Sequence, residues 1–63
     1  MRTIEKNEYV RIYCYGNSVR LDNVSTIEDG RSHTGDTFLM LRDNDKNIVG
    51  RFVGDYGWTV WER

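Results

Sequence analysis

YVRIYCYG, residues 9–16, separates into two sets when read at every second position. Val10, Ile12 and Cys14 are apolar, whereas Tyr9, Arg11, Tyr13 and Tyr15 are three aromatics and a cation. Strand side chains alternate between faces, so one set points to a core and the other away from it. Working outward, alternation remains the dominant pattern. No run keeps apolar residues at helical spacing for three turns, and the chain contains no proline. The reading is therefore all-β.

The opening stretch predicts a strand over 8–15, closed by the turn pair Gly16-Asn17. A second strand is expected over 18–28, with Val19 and Leu21 inward. Val24 and Ile27 stand three apart, which a period of two cannot place on one face, so a bulge or bend is expected near Asn23. EDGRSHTGD, 28–36, is polar, holds two glycines and reads as an exposed loop. TFLMLR, 37–42, is apolar at both parities and predicts a strand covered on both sides, by closure of the sheet or by another copy of the chain. DNDKN, 43–47, reads as a hairpin turn. IVGRFV, 48–53, is the fourth strand, with Gly50 permitting curvature. GDYG, 54–57, is a turn. WTVWE, 58–62, is the fifth strand, with Trp58 and Val60 on one face and Thr59 and Trp61 on the other. The expected architecture is a five-stranded antiparallel meander, curled into a small open barrel or a strongly curved sheet, forming one domain over 1–63.

Length and composition restrict what such a domain does. At 63 residues the chain buries only about 60% of its unfolded surface. Cys14 is the sole cysteine and His33 the sole histidine, so neither a disulfide nor a metal cage is expected, and no cofactor. A net charge of −1 excludes a histone-like polyanion binder and an acidic nucleic-acid mimic alike. Seven of the nine basic residues are arginine, the cation better suited to stacking and bidentate contacts. The first ten residues carry no apolar run, and no segment approaches the roughly 20 apolar residues of a membrane helix. A lone cysteine suits a reducing compartment, so the expected location is the cytoplasm. The sequon Asn23-Val24-Ser25 then reads as chance.

Several motifs fail on inspection. Asp43, Asp45 and Asn47 match positions 1, 3 and 5 of a calcium loop, but Ile48 and Gly54 stand where that loop needs Gly and Glu. Gly30 and Gly35 have the spacing of a phosphate loop without its following Lys and Ser/Thr. Cys14 and His33 are the only nucleophile–base pair of their type, and Cys14 reads as a core residue. The carboxylates fall in loops and at strand ends. No enzymatic activity is expected.

The outward set of the opening stretch then carries the function. Ser18, Arg20 and Asp22 join it if the first two strands pair. Cross-strand aromatic and arginine pairs also stabilise sheets without any further role. As a binding surface, Tyr, Trp and Arg are the residues enriched at protein hot spots. The residues expected to contact a protein partner, either a host protein or a second copy, are Tyr9, Arg11, Tyr13, Tyr15, Arg20 and Trp61, with Arg31 and His33 in the loop. The alternative is single-stranded nucleic acid, with bases stacked on the tyrosines. The glycine-spaced aromatic signature of cold-shock barrels is absent, and VGRFV, 49–53, is a poor substitute.

From Val19 to Glu62, through LDNVSTIED, GDTFLMLRDNDKNIVGRF and WTVWE, the chain resembles small single-domain β proteins of bacteriophages and bacterial mobile elements. The resemblance rests on strand order and turn chemistry. It implies a stoichiometric binder that blocks or modulates a host enzyme or defence complex, and it carries over no site residues.

Overall fold

The computed structural model describes residues 1–54 and 56–63. The described residues form strands and no helix. The strands are β1 (Arg2–Thr3), β2 (Glu8–Cys14), β3 (Asn17–Leu21), β4 (Thr26–Arg31), β5 (Thr37–Arg42), β6 (Ile48–Val53) and β7 (Gly57–Glu62). They make two antiparallel sheets, ordered β1-β4-β5-β6 and β3-β2-β7. All-β, antiparallel architecture is as the alternation predicts. The five-stranded meander is replaced by seven strands in two sheets.

The second expected strand, 18–28, accounts for most of that difference. It breaks at 22–25, where the chain leaves the three-stranded sheet and enters the four-stranded one. Ser25 makes the entry: its amide donates to the Arg42 carbonyl at 2.7 Å, and its carbonyl accepts from the Ile4 amide at 2.8 Å. The three-residue spacing of Val24 and Ile27 follows from this crossing, since both are buried in the same core. Sequence beyond the crossing stays in the sheet as far as Arg31, so the loop expected over 28–36 shortens to 32–36. β1 is two residues long, too short for a periodic signal.

The last long strand closes onto the first. Val10 pairs with Val60 and Ile12 with Trp58, which puts four apolar side chains on the inner face of that sheet. On the facing sheet, Ile27 pairs with Leu41, and Leu39 with Phe52. These inner faces share one core, centred on Val10, Ile12, Ile27, Leu39 and Leu41. Val19, paired with Ile12 on the edge strand β3, is exposed rather than inward. Gly50 sits opposite Leu41, where a Cβ would lie 3.2 Å from the Leu41 Cδ1. A side chain there would overfill the core, and the register shift between Leu41 and Arg42 lets Val49 reach it as well.

The first turn is Tyr15-Gly16, not Gly16-Asn17, because Cys14 pairs with Asn17. Both turn residues have positive φ, 48° at Tyr15 and 80° at Gly16, as a tight two-residue hairpin turn requires. The turn at 43–47 forms as expected. Asp43 Oδ1 accepts from the amides of Asp45 and Asn47, each at 2.9 Å. The turn expected over 54–57 includes Asp55, which lies outside the described residues.

Candidate functional site

The outer face of the three-stranded sheet gathers most of the expected contact residues, and strand register decides which. β2 is the central strand and presents Tyr9, Arg11 and Tyr13 outward. On one side Arg11 faces Arg20 and Tyr13 faces Ser18. On the other, Tyr9 faces Trp61 and Arg11 faces Thr59. Tyr9, Arg11, Tyr13, Arg20 and Trp61 are thus neighbours on one surface, with Ser18, Asp22 and Thr59 among them.

Two arginines directly opposite would repel, and the local arrangement offsets this. The Arg20 guanidinium lies 3.9 Å from the centre of the Tyr9 ring, and that of Arg11 lies 5.7 Å away. The ring's negative face attracts both. Arg20 Nε also donates to the two Asp22 carboxylate oxygens at 3.0 and 3.1 Å. Arg63 Nη1 reaches the same carboxylate at 2.7 Å. Hydrogen bonding from Arg20 is the main reason the Asp22 carboxyl is held below its ordinary range, with the charges of Arg20 and Arg63 acting in the same direction. Arg20 is raised in turn, chiefly by its hydrogen bond to Asp22. Arg11 differs. Among the described residues it has no ion pair, and its one hydrogen bond, to Ser18 Oγ, is long at 3.5 Å.

A second array runs along β7. The Trp61 indole N–H donates to Thr59 Oγ1 at 2.8 Å, and the Thr59 hydroxyl donates to the Tyr13 oxygen at 3.1 Å. Donation from Thr59 is the main cause of a lowered Tyr13 pKa. Tyr13 accepts within the sheet, so its own O–H remains to donate outward. Trp61 keeps half of its surface exposed, at 50%. The Tyr13 O–H and the Arg11 guanidinium are therefore donors this face offers to a partner, set among aromatic rings and beside the half-exposed Asp22 carboxylate.

Three expected contact residues lie elsewhere. Tyr15 is not on the strand face: it is the first residue of the turn, 96% exposed and left-handed. Arg31 ends β4 in the other sheet, paired with Thr37, and His33 lies exposed in the 32–36 loop. The sequence places residues along strands but does not say which sheet a strand joins. Within that loop, Ser32 Oγ and Thr34 Oγ1 lie 2.8 Å apart, and Thr34 donates to Asp36 at 3.3 Å. Its hydroxyls are engaged with one another and with a carboxylate. Thr59 was missed as a site residue. Its place between Tyr13 and Trp61 depends on the β2–β7 pairing, for which the sequence carries no local signal. Cys14 is free and half-buried. Among the described residues no group of three His, Cys, Asp or Glu side chains is placed to hold a metal ion. Compared with protein-family models, curated proteins and solved structures, the chain matches none.

Proposed function

We propose that this protein is a small non-enzymatic binding module that covers a surface of a protein partner with the outer face of its three-stranded sheet. The observation that supports this reading is the convergence of Tyr9, Arg11, Tyr13, Arg20 and Trp61 on that face. Arg11 is left without a charge partner among the described residues, and Trp61 stands half-exposed. Large aromatics beside a guanidinium that has no counter-ion are the composition of interface hot spots. Arg11 and the Tyr13 O–H call for carboxylate or carbonyl acceptors on the partner, and the half-exposed Asp22 for a donor. Tyr15 adds a separate argument. A bulky residue at positive φ is strained, and such strain concentrates at contact sites. Stoichiometric blocking of a host enzyme or defence complex in the bacterial cytoplasm, as the phage resemblance implies, is the biological form we propose for this activity.

Single-stranded nucleic acid remains the second reading, because Tyr13 and Trp61 present ring surface. The stacking of Arg20 on Tyr9 counts against it, since that ring face is already occupied. The test is affinity capture from a bacterial lysate with the wild-type chain, an Arg11→Ala/Trp61→Ala variant and a control altered at Asn44, exposed in the 43–47 turn. Circular dichroism verifies that all three are folded. The proposal expects a discrete protein held by wild type and control and lost with the double variant. Equal capture by all three contradicts it. Tryptophan quenching by a mixed-sequence oligonucleotide that persists at moderate salt would favour the second reading.

A further inference from the structure

TFLMLR is apolar on both faces, and the fold covers only one of them. Leu39 and Leu41 are buried in the core, while Phe38 and Met40 lie on the outer face of the four-stranded sheet. No other element of the described chain packs over that side. Strand pairing arranges it in rows: Gly30, Phe38 and Val53 make one, and Glu28, Met40 and Arg51 the next. The first row is apolar. The Phe38 ring fills the space above Gly30, where a Cβ would meet it at 3.3 Å, and Val53 is 58% exposed. Phe38, Met40, Arg51 and Val53 line a shallow groove there.

The second row carries opposite charges on either side of an apolar centre. Glu28 and Arg51 are two strands apart, about 10 Å, and form no ion pair with each other within the chain. Among the described residues neither has an ion-pair partner. Rotation by a half-turn about an axis lying in the contact plane, parallel to β5, brings Met40 over Met40 and exchanges the two ends of the row. Glu28 of each copy then faces Arg51 of the other, and Val53 of each meets the Phe38–Gly30 end. The alternative half-turn, about an axis across the strands, puts like charges together. Within this row, opposite charges therefore meet in only one of the two orientations. Arg42 lies on β5 as well, so the same half-turn brings the two Arg42 side chains towards the axis. Each guanidinium donates to the Lys46 carbonyl at 3.0 Å and lies against the Met40 sulfur at 3.2 Å, and the two Glu28–Arg51 pairs have to outweigh that like-charge approach.

We propose that two copies of this chain pair through the outer faces of their four-stranded sheets, with Met40 near the twofold axis and Glu28–Arg51 ion pairs on either side. The two proposed partner faces then lie on opposite sides of each subunit, so the dimer presents the aromatic face twice. Charge exchange tests the proposal directly. Sedimentation equilibrium of the wild type is expected to give twice the 7.5 kDa chain mass. Glu28→Arg and Arg51→Glu each set like charges together and are expected to weaken the dimer about tenfold or more. Mixing the two variants restores a heterodimer, and the Glu28→Arg/Arg51→Glu double variant restores the homodimer. Both positions are exposed, and circular dichroism verifies that each variant folds. A monomer at every concentration, or a dimer that neither single reversal weakens, or a loss that mixing does not restore, overturns the proposal. Arg11→Ala/Trp61→Ala leaves the dimer intact if this interface is the correct one, so failure here and failure of the aromatic-face reading are separable.

Discussion

Asp22 is where cations from two distant parts of the chain meet, Arg20 beside it in sequence and Arg63 at the far end. Arg63 is fastened further by its amide to the Asn7 carbonyl at 2.7 Å and its Nε to the Lys6 carbonyl at 3.1 Å. A carboxyl whose folded pKa is depressed stabilises the fold above its unfolded pKa, about 3.9, and that contribution is lost as pH falls through the folded value. Urea unfolding followed from neutral pH into acid is expected to show a loss of stability below about pH 4 that Asp22→Asn flattens. An unchanged acid limb in the variant would remove Asp22 as its source. Tyr13 gives a second residue-level outcome. Thr59→Val removes the hydroxyl that lowers the phenol's pKa, so ultraviolet-monitored alkaline titration is expected to show Tyr13 ionising at higher pH than in the wild type. Tyr13→Phe identifies which of the four tyrosines has moved. At this scale the sequence was readable in part. Alternation sorted Tyr9, Arg11 and Tyr13 from Val10 and Ile12, because a period of two is local. That Arg20 stacks on Tyr9, or that Thr59 links Tyr13 to Trp61, depends on partners ten to fifty residues away.

Turns and strand interiors place stronger demands on single positions. Tyr15 occupies a left-handed position that Asn or Gly adopts more readily. Tyr15→Asn is expected to raise stability by about 1 kcal/mol in chemical denaturation, while reducing capture of the partner. A destabilised variant would mean that the Tyr15 side chain contributes more to the fold than its backbone costs. Gly50→Ala is expected to act in the opposite direction. The added methyl meets the fully buried Leu41 at 3.2 Å and forces it to shift, so a loss of about 1 kcal/mol or more is expected. The one-residue error in placing the first turn has the same physical origin as the Tyr15 prediction. Turn chemistry points to Gly-Asn, and the chain instead puts a tyrosine where the rule disfavours it. The break at 22–25 was visible only as an irregularity near Asn23, because the pairing of Ser25 with Arg42 and Ile4 is settled by the other sheet.

The whole molecule has one core between two sheets and little stability in reserve. Leu41 is wholly buried, and Leu41→Ala is expected to cost about 2–5 kcal/mol. In a domain of this size that is enough to abolish the folded baseline in circular dichroism at room temperature. Both sheets turn a patterned outer face to their surroundings, polar and charged groups among aromatics on one side and an apolar strip between opposite charges on the other. The expectation that TFLMLR is covered on both faces holds for Leu39 and Leu41 alone, and within one chain Phe38 and Met40 stay on an outer face; the second cover belongs to the dimer proposed above. Arg31 and His33 were grouped with the tyrosines because sequence gives no measure of which sheet a loop adjoins.

The central claim is that the aromatic face of the three-stranded sheet meets a protein. Ser18 is exposed on that face, opposite Tyr13. A photo-reactive side chain placed at Ser18, irradiated in the cell that makes the protein, tests the claim most directly. One discrete protein adduct is expected, lost when Arg11 and Trp61 are changed to alanine in the same chain. An absence of any protein adduct from the folded, irradiated chain, or an adduct that survives those two changes, would contradict it.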